Sequence, residues 1–352
     1  MRHETATVVD RGQYADAVTP WEDETWRTAA LGWVERELDA LGVRAHGPWR
    51  VRVRPWSVLA RVGVEGLTHV DGSGRGDRPR GRGRAGRDVV WFKANPPGSA
   101  FEAGLGAALA RWVPGRVVEP LAVDAGRGWA LLPDGGELFR EAIGRGADGP
   151  GGWEAALGQY ASMQRALLPY TGEIERLGVP GARTAELPGI FDEAVAANTA
   201  LREDERARLV ALRPRLDEWC EELAAFGVPD ALDHADLHDG QLFHPAPGRF
   251  TFFDWGDAAI SHPFCSFTVP ARRVREQYGP DALPRLRDAY LEPWTDTGLT
   301  PAELHRALTL ATRLGALNPV RAWGRLFPGT TVAAGPGAVA EWLLGMGAEP
   351  PL

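Results

Sequence analysis

Apolar residues fall into two regimes along this chain: short alternating or continuous runs in the first third, then recurrence every three or four positions. An early helical pattern spans about Pro20 to Leu41. Trp26, Ala30, Trp33, Leu38 and Leu41 keep helical spacing, Thr19-Pro20-Trp21-Glu22 supplies a cap, an N1 proline and a capping-box glutamate, and Gly42 ends it. Trp49–Arg54 and Val58–Val64 read as strands around Pro55-Trp56-Ser57, and Val89–Lys93 reads as a buried strand. Ser99-Ala100-Phe101-Glu102 forms a second capping box and opens a helix to about Trp112. Strands follow at Val117–Val123 and Trp129–Leu132, then the turn Pro133-Asp134-Gly135-Gly136.

Helical stretches dominate afterwards, near 153–168, 190–198, 202–226, 272–291, 301–316 and 335–346, with Thr300-Pro301-Ala302-Glu303 repeating the cap signature. A strand-and-loop island interrupts them at about 230–260. The pattern predicts an α+β protein with a small β-rich N-terminal lobe, 1–133, and a larger helical C-terminal lobe, 134–352. The segment 71–88 is almost all Gly, Arg, Asp and Pro; with almost no apolar area to bury, it reads as a mobile inserted loop.

Composition narrows the classes of function. The chain has 352 residues, enough for two lobes, and is 44% hydrophobic and 24% charged, as globular proteins are. A net charge of -8 argues against nucleic acid as a partner, the Arg/Gly tract notwithstanding. Cys220 and Cys265 are far apart, which argues against a disulfide framework or thiolate zinc site and fits a reducing cytoplasm. The N-terminus is polar and no run approaches the ~18 apolar residues of a spanning helix, so no membrane partner is expected. Lys93 is the single lysine among 39 Lys and Arg residues.

The densest polar cluster between apolar flanks is His234-Ala235-Asp236-Leu237-His238-Asp239-Gly240-Gln241, followed by the strand Phe250–Phe253, which delivers Asp254-Trp255-Gly256. Two acids and an amide folded together suit metal-assisted phosphoryl transfer. Magnesium takes oxygen ligands, one or two from protein, while a separate carboxylate faces the acceptor hydroxyl. Protein kinases use a catalytic-loop Asp, an Asn five positions later and the Asp of a D-F-G element. Asp236, Gln241 and Asp254 fall in that order.

Residues 232–257 resemble the aminoglycoside-phosphotransferase family, whose catalytic loop reads approximately H-G-D-L-H-x-G-N with a later D-W or D-F motif. The resemblance implies a protein-kinase-like fold, ATP and Mg2+ as cofactors, and a small-molecule hydroxyl acceptor. By it, His234 supports the loop, Asp236 is the catalytic base, and Gln241 and Asp254 hold the metal. Kinase-like folds also use a strand lysine on the phosphates, paired with a helix glutamate; Lys93 and Glu102 stand in those places. Ser57 or nearby amides would meet the phosphates, and Leu132–Asp134, with Leu132 and Asp134 at its ends, would form the adenine hinge.

Two departures stand out. Gln241 replaces the usual Asn, and His262-Pro263-Phe264-Cys265-Ser266-Phe267 lacks both acids of a D-P-x-x-D-L pattern. A kinase-like nucleotide-binding module without turnover is therefore one alternative. A second is a metallohydrolase, since His234, Asp236 and His238 would share one face of a strand.

Overall fold

The computed structural model describes residues 5–12, 14, 17–67, 88–146, 149–318, 326–328, 335–348 and 350. All but the last residue of the Gly/Arg-rich segment 71–88 lies outside them. The chain divides into two compact units, Met1–Gly135 with Arg325–Thr331, and Gly136–Gly324 with Val332–Leu352.

The first unit is built on a six-stranded sheet in the order β1-β2-β3-β4-β6-β5. Its strands are β1 (Thr5–Val9), β2 (Arg44–Arg54), β3 (Ser57–Glu65), β4 (Asp88–Ala94), β5 (Ala122–Asp124) and β6 (Trp129–Pro133). β1 joins β2 in parallel and the other pairings are antiparallel. Burial alternates along β2 and β3, as it must where one face packs and the other does not. Helix α1 (Glu24–Ala40) lays Ala30, Trp33, Val34 and Leu38 on the buried face. Trp33, Phe92 and Trp129 meet there with ring centroids 5.8–5.9 Å apart. These are tilted and edge contacts, the geometry that ring quadrupoles favour.

Phe327, from a distant part of the sequence, is buried in the same cluster. Its backbone N–H donates to the Pro55 carbonyl at 2.8 Å, which fastens the β2–β3 turn.

Several local expectations need correction. Pro20–Glu22 makes only a 3-10 turn; the cap of α1 is Asp23, whose carboxylate accepts from the Thr25 and Trp26 amides. The second capping box does not form either. Helix α2 (Phe101–Trp112) begins after Ala100, with no side-chain cap, because Glu102 is engaged by β4. The predicted strand 117–123 shrinks to β5, since Pro120 cannot donate to a ladder. β1 was not legible: four of its five residues are exposed, so no alternation marks it.

In the second unit the elements are α3 (Phe139–Gly144), α4 (Pro150–Leu167), α5 (Thr171–Arg176), β7 (Gly181–Ala182), α6 (Leu187–Ala197), α7 (Glu203–Ala225), β8 (Ala231–Asp233), β9 (Leu242–Ala246), β10 (Arg249–Phe252), β11 (Ala259–Ser261), α8 (Thr268–Tyr278), α9 (Leu283–Leu291), α10 (Pro301–Leu314) and α11 (Gly335–Gly345). α4 is the central helix: Trp153, Leu157, Tyr160, Ala161 and Gln164 on it are fully buried. The helix expected over 272–291 is two, α8 and α9, broken at Gly279-Pro280, where Gly279 adopts φ 85°. Thr300 caps α10 as expected, exchanging bonds with Glu303.

The strand-and-loop island forms two small sheets, β7-β11-β8 and the hairpin β9-β10. The 234–241 loop leaves β8 and enters β9. The hairpin then returns the chain, and the Phe253 amide donates to the Gln241 carbonyl at 3.2 Å. That fold-back delivers Asp254 beside the loop, as the order of residues predicted.

Candidate active site

The first unit carries the lysine. β4 is an inner strand, and Lys93 near its end pairs with Ala130 of β6 and Leu59 of β3. Its ammonium meets Glu102 Oε1 at 2.6 Å, and both side chains are close to buried, 11% and 10% exposed. Asn95, two positions on, donates to Glu102 Oε2 at 2.5 Å. Burying a charge is costly unless it is paired and hydrogen-bonded, and Glu102 has both kinds of partner. Asn95 was missed in the sequence; its signal was the two-residue strand spacing that returns it to the face of Lys93.

Ser57 opens β3 and is only 5% exposed; the tip of the β2–β3 turn is Pro55-Trp56, with Trp56 41% exposed. Leu132 is half-buried near the end of β6, opposite Trp91, and Asp134 is exposed just beyond it.

The second unit carries the acids. Asp236 lies on the loop after β8, and Gln241 Nε2 is directed at its Oδ2 at 3.4 Å. The pKa of Asp236 is raised from 3.8 to about 6, first by desolvation and then by the charge of Asp254; the Gln241 hydrogen bond and the charge of Arg272 oppose this. Desolvation leads although 41% of the side chain stays open, because protein packs closely around the rest of it. A carboxylate poised near neutrality can take a proton and later release it.

His234 is fully buried. Its Nε2–H donates to the Phe253 carbonyl at 2.8 Å, since a carbonyl can only accept, and its backbone N–H donates to the Tyr160 hydroxyl at 2.9 Å. Desolvation lowers its pKa, so the ring is neutral. It therefore ties the Asp236 loop to the residue preceding Asp254. Asp254 itself adopts the left-handed φ of 68°, which Asp tolerates better than most residues.

His238 belongs to the loop's own scaffolding. Its Nδ1 accepts from the Gly240 amide at 2.9 Å and lies 3.2 Å from the Arg140 guanidinium. Asp239 is buried and held by Gln277 at 2.9 Å and Arg273 at 3.5 Å. Gly240 leaves room for Arg140: a Cβ there would stand 1.8 Å from its guanidinium nitrogen. Arg140, Arg273 and Gln277 were not foreseen, because they come from α3 and α8, far away in sequence.

The metallohydrolase arrangement does not form, because 234–238 is a loop and not a strand. Among the described residues no group of three or more His, Cys, Asp or Glu is assembled to hold a metal. The oxygen donors of Gln241 and Asp254 are a sparse set, which fits magnesium: it takes one or two ligands from protein and the rest from phosphates and water.

This pairing of a β-rich unit carrying a lysine–glutamate bridge with a helical unit carrying an acidic loop defines a protein-kinase-like fold, and solved structures share it. One is wild-type aminoglycoside 2'-phosphotransferase-IIIa in its GDP complex: TM-score 0.52, 16% identity, 90% of this chain and 97% of that one. A second is an amicoumacin kinase in complex with AMP-PNP, Ca2+ and amicoumacin: TM-score 0.52, 13% identity, 92% and 95%. A third is an ethanolamine kinase of Plasmodium vivax: TM-score 0.52, 12% identity, 96% and 91%. At such identities the likeness is one of fold. No protein-family model and no curated protein sequence matches this chain.

Proposed function

We propose that this protein is an ATP-dependent small-molecule kinase that transfers the γ-phosphoryl group to a hydroxyl of a small acceptor in the cytoplasm. The observation that carries the reading is the pair of Lys93, on an inner strand, with Glu102 of α2, in a chain whose other long basic side chains are all arginine. A compact ammonium has been kept where a guanidinium would have to spread its planar fork.

Asp236 orients the acceptor hydroxyl and accepts its proton. Gln241 and Asp254 would hold magnesium, with the Gln241 amide oxygen as donor while its Nε2 faces Asp236. Mg·ATP supplies the phosphoryl group and offsets the charge that builds up during transfer. Lys93, held by Glu102, meets the phosphates together with Ser57 or the amides of the β2–β3 turn; the backbone between Leu132 and Asp134 receives the adenine. His234 keeps the two acidic segments in register. The structural neighbours act on aminoglycosides, amicoumacin and ethanolamine by their names, and each supports a hydroxyl-bearing acceptor class here without selecting one.

The test is a nucleotide-consumption screen with Mg·ATP and Mg·GTP against hydroxyl-bearing metabolites and antibiotics, with Asp236→Ala as the blank. Acceptor-dependent turnover that vanishes in the blank is expected. If nucleotide binds but no acceptor raises consumption above the blank, the chain is a nucleotide-binding module and the transfer reading falls.

A further inference from the structure

One buried carboxylate of the second unit has no part in the reading above. Asp233, the last residue of β8, is 1% exposed. It accepts from Ser266 Oγ at 2.5 Å and the Ala235 N–H at 2.9 Å on Oδ1, and from Asn318 Nδ2 at 2.5 Å and Ser261 Oγ at 3.3 Å on Oδ2. These partners come from β11, from the turn that follows it, from the end of the α10 region and from the loop itself. No Lys, Arg or His forms an ion pair with it among the described residues. A carboxylate withdrawn from water this far is costly even when its lone pairs are filled.

The bond to Ala235 shows what that cost supports. Ala235 has φ 61°; it and Asp254 are the non-glycine residues with positive φ among those described. A Cβ-bearing residue there costs about 1–2 kcal/mol, and glycine occupies the same place in the family loop that this one resembles. Ala235 directly precedes Asp236, so its dihedrals set the direction in which the Asp236 side chain leaves the chain. The Asp233 carboxylate, two residues back, closes a turn on the Ala235 amide and holds that conformation. Ser266 stands where the sequence pattern led one to look for an acid. The carboxylate is instead on β8, 2.5 Å from the Ser266 hydroxyl.

We infer that Asp233 is a positioning residue for phosphoryl transfer: its carboxylate locks Ala235 in the left-handed turn that aims Asp236. The inference rests on the proposed kinase reading, and its test has an arm that does not.

Four variants decide it: Asp233→Ala, which leaves no acceptor for the Ala235 amide, Ala235→Gly, the two combined, and the exchange D233S/S266D, which keeps one carboxylate and the exchanged hydroxyl in the cluster but moves the acid away from the Ala235 amide. The readouts are steady-state kinetics with Mg·ATP and an acceptor from the screen, and amide hydrogen exchange over 233–241. In Asp233→Ala, exchange at 234–237 should quicken and kcat should fall by about 10²-fold, the cost of a misplaced catalytic group, while the KM for ATP stays within about twofold. Adding Ala235→Gly should recover most of the lost kcat, because glycine takes this φ unaided. A merely structural Asp233 would not be rescued that way.

Unchanged exchange and kcat in Asp233→Ala overturn the inference, as does a folded double variant with no recovery. If Asp233→Ala does not fold, D233S/S266D decides: a folded protein with low kcat supports the inference, and wild-type kcat overturns it. Should the wild-type protein transfer to no acceptor, the kinase reading has failed. The exchange arm then still reports whether Asp233 holds the loop.

Discussion

The Lys93 knot in the first unit and the Asp233 knot in the second both keep charge away from water, and they do so by opposite means. Lys93 and Glu102 cancel each other across 2.6 Å and are nine positions apart in the chain. Asp233 meets no opposite charge among the described residues; it is wrapped in neutral donors, two of which lie 28 and 85 positions away. A local ion pair needs a strand, a turn and the first residues of a helix. A shell of neutral donors needs the whole unit folded. The first arrangement can offer its charge to a ligand, whereas the second spends its charge on backbone shape.

The largest effect expected falls on Asp236, in the loop that leaves the Asp233 knot. Asp236→Ala should lower acceptor-dependent kcat by about 10²–10⁴-fold, the range for removal of a positioned base, and leave nucleotide affinity nearly unchanged by titration calorimetry. Near-normal turnover in that variant would remove Asp236 from the mechanism.

The Lys93 knot can be broken and repaired. Lys93→Met strands the buried Glu102 carboxylate and should cost about 3–5 kcal/mol in denaturant unfolding. K93M/E102Q removes both charges and should regain most of that stability, yet nucleotide binding should stay weak. A double variant that binds nucleotide like the wild-type protein would reduce Lys93 to a fold element.

The same contrast explains what could be read in advance. The Lys93–Glu102 pair and the return of Asp254 to the 234–241 loop were legible because these residues sit at marked positions of a strand, a helix start or a loop between apolar runs. The β9-β10 hairpin was legible too, as apolar residues flanking the acids. Asn95 and Asp233 were not. An Asn after a strand is common, and an Asp beside a His-x-Asp motif looks like part of that motif until Ser261, Ser266 and Asn318 converge on it. Glu102 misled in the other direction: its place after Ser99 imitates a capping box, but an ammonium within reach outweighs a backbone amide. Likewise Thr19-Pro20 promised a helix start that Asp23 takes over three residues later.

The Asp233 side of the comparison has a neighbour that responds to pH. His262, next to Ser261, is 2% exposed and accepts the Phe264 amide on Nδ1 at 3.3 Å. Burial pushes its pKa down from 6.5 to about 3. The folded state therefore resists protonation while the unfolded chain takes a proton below pH 6.5. His262 contributes its full share of stability above that value and loses it steadily as pH falls towards 3, by about 1.4 kcal/mol per unit, or roughly 2 kcal/mol at pH 5. His262→Asn, which keeps an acceptor for Phe264, should flatten that slope in urea titrations run from pH 7 to 4. An unaltered slope would mean that other groups carry the acid sensitivity.

The smallest effect is the most specific to the loop. Ala235→Gly removes a Cβ from a left-handed residue, worth about 1–2 kcal/mol, while glycine's extra freedom in the unfolded chain takes back roughly 0.5–1 kcal/mol. A gain of about 0.5–1 kcal/mol should remain, against the usual loss when glycine replaces alanine. It is measurable as a higher melting temperature, and it should be larger in the Asp233→Ala background, where the clamp on Ala235 is gone. If the two gains are equal, Asp233 and Ala235 are energetically independent, and the buried carboxylate owes its place to packing of β8, β11 and the α10 region rather than to the turn that carries Asp236.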